Sequence, residues 1–343
     1  MAGWPMSDFL TLFLAVLLAL LVAPLAQGYG GRIWGVFRDV RFVQRNGVAV
    51  STYMVLAVTF WILLMIVLPQ LYMVDFSFRN NLPPPQQGGP DDVHTLKNYH
   101  YLLFGPEGSD QSFNWLHLRV FAKTIIASVF VTLLDFALCY PIAYYIAQVA
   151  KGGRARLMFL CLLLPFWVNE ILRAFAFRII FGTSGVINSV LIGIGLLPAD
   201  APIDFLRADI ALYSGLSYAY VLMMVFPLYN AIESLDHNQI EAARDLGSPW
   251  WRIHWRVVMP HAKPGIASGC VMVFMLAAGA LATPQILGGP SSLWFTQVIY
   301  DQFFQGFNWP RGSAYAFVLL LSCIVFVMSA MRLFKVNLGD IAR

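Results

Sequence analysis

The sequence predicts an all-α membrane protein with about seven membrane spans. Of its 343 residues, 59% are hydrophobic and only 12% are charged, and the mean hydropathy is +0.68. The charged share is about half that of an ordinary soluble domain. Crossing a bilayer core takes about 20 apolar residues. Runs of suitable length occur at Phe9–Ala26, Val48–Val74, Phe121–Val149, Leu157–Phe181, Asp209–Ile232, Gly265–Leu287 and Ser313–Met331.

We interpret the first run as a membrane anchor added to a six-span domain. A cleaved signal peptide carries its positive charges before the apolar stretch, whereas residues 1–8 contain no Lys or Arg and the basic cluster follows the run. The segment Gly28–Gly47 is either an amphipathic helix on the inner membrane surface or a plain basic linker. The predicted division is therefore anchor and juxtamembrane segment 1–47, main membrane domain 48–335 and cytoplasmic tail 336–343.

The distribution of basic residues predicts the orientation, because Lys and Arg concentrate in short cytoplasmic loops. Fourteen of the 22 basic residues follow the first, third and fifth runs or close the chain: Arg32, Arg38, Arg41, Arg45, Lys151, Arg154, Arg156, Arg244, Arg252, Arg256, Lys263, Arg332, Lys335 and Arg343. We expect these loops to be cytoplasmic, with the N-terminus outside and the C-terminus inside. The Pro/Gly-rich stretch Pro83–Pro90 is then external.

A polar stretch between the fifth and sixth runs is the most distinctive part of the chain. Glu241–Ile266 reads EAARDLGSPWWRIHWRVVMPHAKPGI. Asn238 followed three residues later by Glu241 is typical of a capping box at a helix start, and Gly247 is typical of a helix end. Ser248 and Pro249 have the order of a cap followed by an N1 proline. The stretch therefore predicts two short helices joined at a glycine.

This stretch resembles the EAA loop of the permease subunits of bacterial ABC importers. The family pattern is Glu-Ala-Ala, three residues, Gly, nine residues, Ile, one residue and Leu-Pro. Val257 and Met259 stand where Ile and Leu are usual. The resemblance places an EAA loop at 233–264 and assigns coupling to a separate ATPase to Glu241, Ala242, Ala243, Asp245, Gly247 and Pro260. The alternative is a helical hairpin that packs only on its own chain.

Four further segments resemble the polyamine-type branch of these permeases, which includes opine-transporting relatives. They are Phe166–Phe177, Gly182–Leu196, Ala282–Pro290 and Phe303–Gly312, and the similarity covers Val48–Leu333. It implies a type I importer transmembrane domain in the bacterial inner membrane. The implied partners are a second homologous permease, two ATP-binding cassette subunits that carry ATP and Mg, and a periplasmic binding protein. The chain departs from the branch in its first run and in Glu170, where Ser or Thr is usual.

No pattern in the sequence indicates catalysis or a bound cofactor. A phosphate-binding G-x-x-x-x-G-K-[ST] loop, a G-x-S-x-G elbow and an H-E-x-x-H pair are all missing from the printed sequence. The four cysteines lie inside apolar runs without metal-ligand spacing: Cys139, Cys161, Cys270 and Cys323. We therefore expect a non-catalytic subunit with no metal, no cofactor and no nucleic-acid partner of its own.

Ionisable and aromatic residues at membrane depth are candidates for a substrate path, because ammonium groups are attracted to carboxylates and to ring faces. The candidates are Asp135 and Glu170 inside the spans, and Trp294 and Asp301 near the outer face, where they would contact the substrate or a docked binding protein. Glu170 lies three residues from Arg173, so the two could instead neutralise each other. Asp135 could equally hold a neighbouring helix through a hydrogen bond.

These patterns favour import of a small organic cation, and among such solutes a polyamine such as spermidine or putrescine. An opine, an amino-acid derivative or ferric iron is the alternative within the same class. An ion-gradient-driven carrier or channel is the competing class, in which Asp135 and Glu170 would be ion sites. A membrane-anchored enzyme is the third hypothesis, and it lacks any nucleophile, base or metal constellation.

The orientation is testable with single cysteines in a background that lacks the native four. An impermeant thiol reagent added outside should modify Gln86→Cys, because this position lies in the external loop, and should spare Arg154→Cys and Arg252→Cys until the membrane is opened. The background protein itself serves as the unlabelled control. Labelling of Arg252→Cys from outside would show that the orientation is inverted.

Overall fold

The computed structural model describes residues 47–83, 86, 89–90, 92–105, 113–198, 200–289 and 292–335, and its regular elements over these residues are all helical. This confirms the predicted all-α class. The predicted anchor run Phe9–Ala26, the rest of residues 1–46 and the predicted tail 336–343 lie outside the described residues.

Five helical stretches of the described chain are long and apolar enough to cross a membrane: Ala49–Ser77, Trp115–Val149, Glu170–Gly193, Ile210–Glu233 and Trp309–Phe334. A sixth candidate is a pair, Trp250–His261 followed by Lys263–Gly279, which is bent by 75°. The described part of the chain therefore has five or six candidate spans, where the sequence predicts six for the same residues.

The chain divides into two compact units, one made of residues up to Tyr101 with Gln302–Phe317, the other of Leu102–Asp301 with the residues from Val318 onward. In the first unit, helix α1 consists of Val48–Ile62, a π-helical turn at Leu63–Val67 and Leu68–Ser77. Pro69 lies two residues after the end of the π-helical turn. Proline has no N–H for the helical ladder and its ring clashes with the preceding turn, so a local widening at this point is expected.

A polar network closes the end of α1 and leads into helix α2, Lys97–Phe104. Arg79 donates to Asp75 and to Asp92, each over 2.8 Å. The Asn98 side-chain amide donates to the backbone carbonyls of Ser77 and Arg79, each over 2.9 Å. The Asn98 bonds satisfy carbonyl groups that the helix end leaves free, and the charge-assisted bonds of Arg79 join two carboxylates beside them.

The core of the second unit is a packed group of three helices. Helix α3 spans Trp115–Tyr144 and continues as a π-helical turn, Tyr145–Val149. The other two are α7, Ile210–Glu233, and α10, Lys263–Gly279. Their buried side chains include Val131, Ala143, Leu212, Leu216, Val225, Ile232, Val273 and Ala277. Packing of this kind positions the loop between α7 and α10, which carries the EAA sequence.

The predicted run Leu157–Phe181 is wrong as a single span, because the helix breaks inside it. The structure has α4 at Gly153–Trp167, α5 at Glu170–Phe181 and α6 at Val186–Gly193. Val168 and Asn169 are extended, and the Asn169 side chain accepts from the Ile171 N–H over 2.9 Å. Asparagine is a strong N-cap residue and starts a new helix here.

The predicted run Gly265–Leu287 is also interrupted, at Ala280. After α10 the chain forms α11, Ala282–Leu287. In a continuous helix the residue 284 N–H would donate to the Ala280 carbonyl, but Pro284 has no N–H. The Ala280 carbonyl accepts instead from the Thr296 hydroxyl over 2.5 Å. Two helices follow, α12 at Phe295–Phe304 and α13 at Trp309–Phe334.

Between α7 and α10 the EAA loop forms two short helices, as the sequence predicts. Helix α8 spans His237–Asp245. Helix α9 begins at Trp250–Ile253, continues through a π-helical turn at His254–Val258 and ends at Met259–His261.

The start of α10 lies so close to α7 that only glycine fits at position 265. A Cβ on Gly265 would meet the Pro227 carbonyl oxygen and the Ala231 Cβ. Small residues allow such close approach of helix backbones in membranes, where dispersion contacts replace the hydrophobic effect as the source of association energy.

Gly265→Ala should therefore lower the thermal unfolding midpoint of the purified protein in detergent, since forcing a methyl group into a packed contact costs about 1–3 kcal/mol. Gly279→Ala in the same helix is the matched control, because a Cβ there meets no atom within 4 Å. Equal midpoints for the two variants would contradict the close contact.

Candidate functional site

The first arm of the EAA loop is α8, which exposes the residues predicted to couple. Glu241, Ala242 and Asp245 are exposed and Ala243 is half-buried, while Ile240 is fully buried against the core. The helix therefore has an inner face that holds it to its own chain and an outer face that is open. The exposed face is available for contact with another subunit.

The predicted cap of α8 is wrong by two residues. Asp236, in extended conformation, accepts the Asn238 N–H at 3.0 Å, so Asn238 is already helical. Asp and Asn cap helices about equally well, and Asp236 comes first in the chain. The expected pairing of Asn238 with Glu241 is replaced by a contact of Glu241 with His237 at 3.4 Å.

Gly247 ends α8, as predicted, in left-handed conformation with φ of 72°. Its N–H donates to the Arg244 carbonyl over 2.8 Å, and the Ser248 N–H donates to the Ala243 carbonyl over 3.1 Å. These two bonds form a Schellman motif, which satisfies the last helical carbonyls and needs a residue that tolerates positive φ. The elbow of the loop is therefore fixed by backbone geometry.

The second arm, α9, begins one residue later than predicted. Pro249 holds the cap position without a side-chain cap bond, and Ser248 belongs to the closure of α8 through its backbone N–H. Pro260 is exposed and follows the π-helical turn His254–Val258. This repeats the arrangement of a π-helical turn before Pro69 in α1.

The elbow carries an exposed apolar surface that the sequence reasoning did not single out. Leu246 is 86% exposed, Trp250 70% and Trp255 67%, and Trp251 is also exposed. Exposed apolar residues in a group are characteristic of interaction sites. The signal available in the sequence was the Trp-Trp pair directly after the Gly-Ser-Pro elbow.

Asp135 is fully buried between α3 and α7, where the Ser217 hydroxyl donates to its Oδ1. Its Oδ2 has no partner among the described residues. Asp135 lines neither of the two clefts described next. Its observed contact is the interhelical hydrogen bond that the sequence left open as an alternative.

Glu170 lies between two clefts where helix breaks meet. It is exposed at the first position of α5, and its Oε1 accepts from the Thr283 hydroxyl of α11 at 3.1 Å. One cleft, of about 440 Å³, runs along the break between α10 and α11. The other, of about 480 Å³, runs along the break between α4 and α5. Glu170, Tyr220 and Leu276 line both.

The other two predicted path residues are not brought to these clefts. Trp294 is fully buried, and its indole N–H donates to the Ala277 carbonyl at 3.2 Å. Its ring packs in the core, and its contact with the substrate or a docked binding protein stays a prediction. Asp301 is half-buried on α12 and lines neither cleft.

Metal-ligating side chains do not cluster in the part of the chain that the structure describes. The four cysteines are free thiols; Cys161 is exposed and the other three are buried. The side chains at the two clefts offer carboxylate, guanidinium, hydroxyl and aromatic contact, from Glu170, Arg173, Thr283 and Tyr220.

A bundle of apolar helices that is broken around a carboxylate-lined cleft and presents an EAA loop defines a transport permease subunit. The chain belongs to the family described as binding-protein-dependent transport system inner membrane component, whose model matches residues 140–336. It is a multi-pass inner-membrane protein of an ABC importer.

The relatives share most of their length with this chain. The spermidine/putrescine transport system permease protein PotB of Haemophilus influenzae is 33% identical over 269 residues, which cover 78% of this chain and 88% of PotB. PotB of Escherichia coli is 32% identical, with 78% and 92% of the two chains covered.

The fold is similar to that of solved importer chains. A chain of a bacterial ABC transporter involved in the import of the acidic polysaccharide alginate gives a TM-score of 0.66 at 19% identity, covering 89% of this chain and 98% of that one. The same kind of transporter in complex with an alginate pentasaccharide-bound periplasmic protein gives 0.65 at 20% identity, covering 88% and 100%. This likeness confirms the predicted type I importer transmembrane fold.

Proposed function

We propose that the chain is the membrane-spanning permease subunit of an ATP-driven importer of a polyamine such as spermidine or putrescine. The similarity to PotB over most of both chains is the observation that carries this proposal. In this proposal the chain hydrolyses nothing and holds no cofactor. It works with a second, homologous permease, two ATPase subunits that bind ATP and Mg, and a periplasmic binding protein that delivers the solute.

The EAA loop is the proposed contact with the ATPase. The exposure of this surface supports the proposal. Its exposed residues are Glu241, Ala242 and Asp245 on α8, with Leu246 and Trp250 at the elbow. ATP binding closes the ATPase dimer and carries the loop with it, so that the bundle faces outward. Hydrolysis and release reset it. In this proposal the EAA loop lies on the cytoplasmic side, with the N-terminus outside and the C-terminus inside, and the distribution of basic residues supports this orientation.

The clefts at Glu170 are the proposed route of the solute through this subunit. An ammonium group gains from the carboxylate by Coulomb attraction and from the Tyr220 ring through its quadrupole. The apolar lining, which includes Met275 and Leu276, suits the methylene segments between the amines. Asp135 acts in this proposal as a buried helix link, so Glu170 is the charge that meets the substrate.

The coupling role predicts a difference between two substitutions at the elbow. Gly247→Val should reduce ATP-dependent uptake roughly ten-fold, because a left-handed conformation costs a non-glycine residue about 1–2 kcal/mol and a β-branched one more. Gly247→Asn is the matched control and should retain most uptake, since asparagine tolerates this conformation. Uptake is measured in cells at equal membrane levels of the protein. Full uptake by Gly247→Val would exclude the elbow from coupling.

The substrate role predicts that Glu170→Gln lowers spermidine uptake at sub-saturating concentration by roughly five-fold, since one partly dehydrated ammonium contact is worth on the order of 1 kcal/mol. Asp301→Asn, which removes a carboxylate outside both clefts, should leave uptake unchanged. The measurement is radiolabelled uptake by the complete complex in proteoliposomes with its binding protein.

The same preparation tests the solute class. Binding protein loaded with spermidine or putrescine should stimulate ATP hydrolysis, and the unloaded protein should not. Stimulation only by an opine-, amino-acid- or iron-loaded binding protein would overturn the polyamine assignment while leaving the importer class in place.

A further inference from the structure

The C-terminal end of α3 is hydrogen-bonded to the first arm of the EAA loop through Gln148. We call it the inner end, because the proposed orientation puts it on the cytoplasmic side. Gln148 lies in the π-helical turn that ends α3, and its side-chain amide donates to the carbonyls of Ile232 at 2.8 Å and Leu235 at 3.2 Å. The Gln148 Oε1 lies 3.0 Å from the Nδ1 of His237, the first residue of α8. One side chain therefore joins α3 to the end of α7 and to the start of the coupling helix.

A second contact joins α3 to the other arm of the loop. The Tyr140 hydroxyl lies 2.8 Å from the Nδ1 of His254 in α9. The buried His254 ring also packs against the rings of Tyr144 and Trp250, with centroid distances of 4.5 Å to each. His254 Nε2 has no partner among the described residues, so Tyr140 is its observed polar contact.

These two contacts reach α8 and α9 on opposite sides of the Gly247 elbow. Both originate from α3, at positions about two helical turns apart. A displacement of the loop must therefore either break both contacts or move the inner end of α3.

The inner end of α3 is built so that it can move. Pro141 lies inside the helix and removes one hydrogen bond of the ladder. The π-helical turn that follows, Tyr145–Val149, is a second departure from regular α-helix. Kinks and hinges in long helices occur at such features. Farther along the helix, Asp135 is bonded to Ser217 of α7, which ties this part of α3 to its neighbour.

We propose that Tyr140 and Gln148 are positioning residues that transmit movement of the EAA loop to α3, and through α3 to the helix bundle. The inference rests on the proposed ATP-driven function, and it adds which helix receives the movement and through which bonds. It makes no use of the identity of the solute.

The test uses the complete complex with its ATPase subunits in nanodiscs and reads the cleft directly. A single cysteine at Gly279, which lines the cleft, is introduced in a background whose four native cysteines are replaced by alanine. Its rate of modification by a thiol reagent is compared without nucleotide and after trapping with ATP and vanadate. The difference between the two states measures the rearrangement that ATP drives in the bundle.

Each substitution has a matched control. Tyr140→Phe removes the hydroxyl that contacts His254, and Tyr144→Phe removes one from the same helix while keeping the ring that packs on His254. Gln148→Met removes the amide at similar size, and Gln70→Met does so at an exposed position of α1. Both test variants should retain co-purification with the ATPase subunits and ATP hydrolysis within about two-fold of the unsubstituted complex, while the ATP-dependent labelling change falls at least about three-fold. The controls should keep the full change.

A labelling change in Tyr140→Phe and Gln148→Met equal to that of the controls would overturn the proposal. Loss of co-purification with the ATPase subunits would also overturn it, because the contacts would then serve folding or docking. Failure of the polyamine assignment is a separate result, seen as missing stimulation by polyamine-loaded binding protein, since the labelling assay contains no solute.

Discussion

Backbone groups that a helix break frees inside a bilayer must be satisfied within the protein, because the lipid offers no hydrogen bonds. The organisation of the second unit follows from this constraint. The break before α5 is closed by the Asn169 side chain, and the break after α10 is closed by the Thr296 hydroxyl on the Ala280 carbonyl. Glu170 and Thr283 bond across the two broken regions. Each cleft runs along one of these two helix breaks, and Glu170 lines both clefts because the breaks lie next to each other.

The same helix breaks explain where sequence reasoning reached its limit. Apolar runs and the distribution of Gly and Pro predicted the all-α fold, the two-helix loop and the turn at Gly247. They did not predict that Asn169 divides an apolar run, because hydropathy is blind to backbone hydrogen bonding. An apolar run reports only that a segment is lipid-compatible or buried, and it does not report whether the helix is continuous.

The candidate site shows a similar division between local and long-range information. The EAA residues were found because their spacing is local in sequence. Asp135 and Glu170 were chosen as ionisable residues at membrane depth and Trp294 as an aromatic residue near the outer face. In the structure Asp135 is bonded between helices, Glu170 lines the clefts and Trp294 is packed in the core. Their roles depend on Ser217, Thr283 and Ala277, which are distant in the sequence. The cap of α8 was misplaced for a smaller reason, because two good cap residues, Asp236 and Asn238, lie only two positions apart.

The contact at Gly265 has a consequence for the loop that begins and ends beside it. The EAA loop leaves the bundle from the end of α7 and returns at the start of α10, and these two points are held in backbone contact by Gly265, Pro227 and Ala231. The two ends of the loop are therefore attached to one closely packed pair of helices. Spreading the two ends of the loop apart would separate Gly265 from Pro227 and Ala231, so this one contact fixes the distance between the two ends.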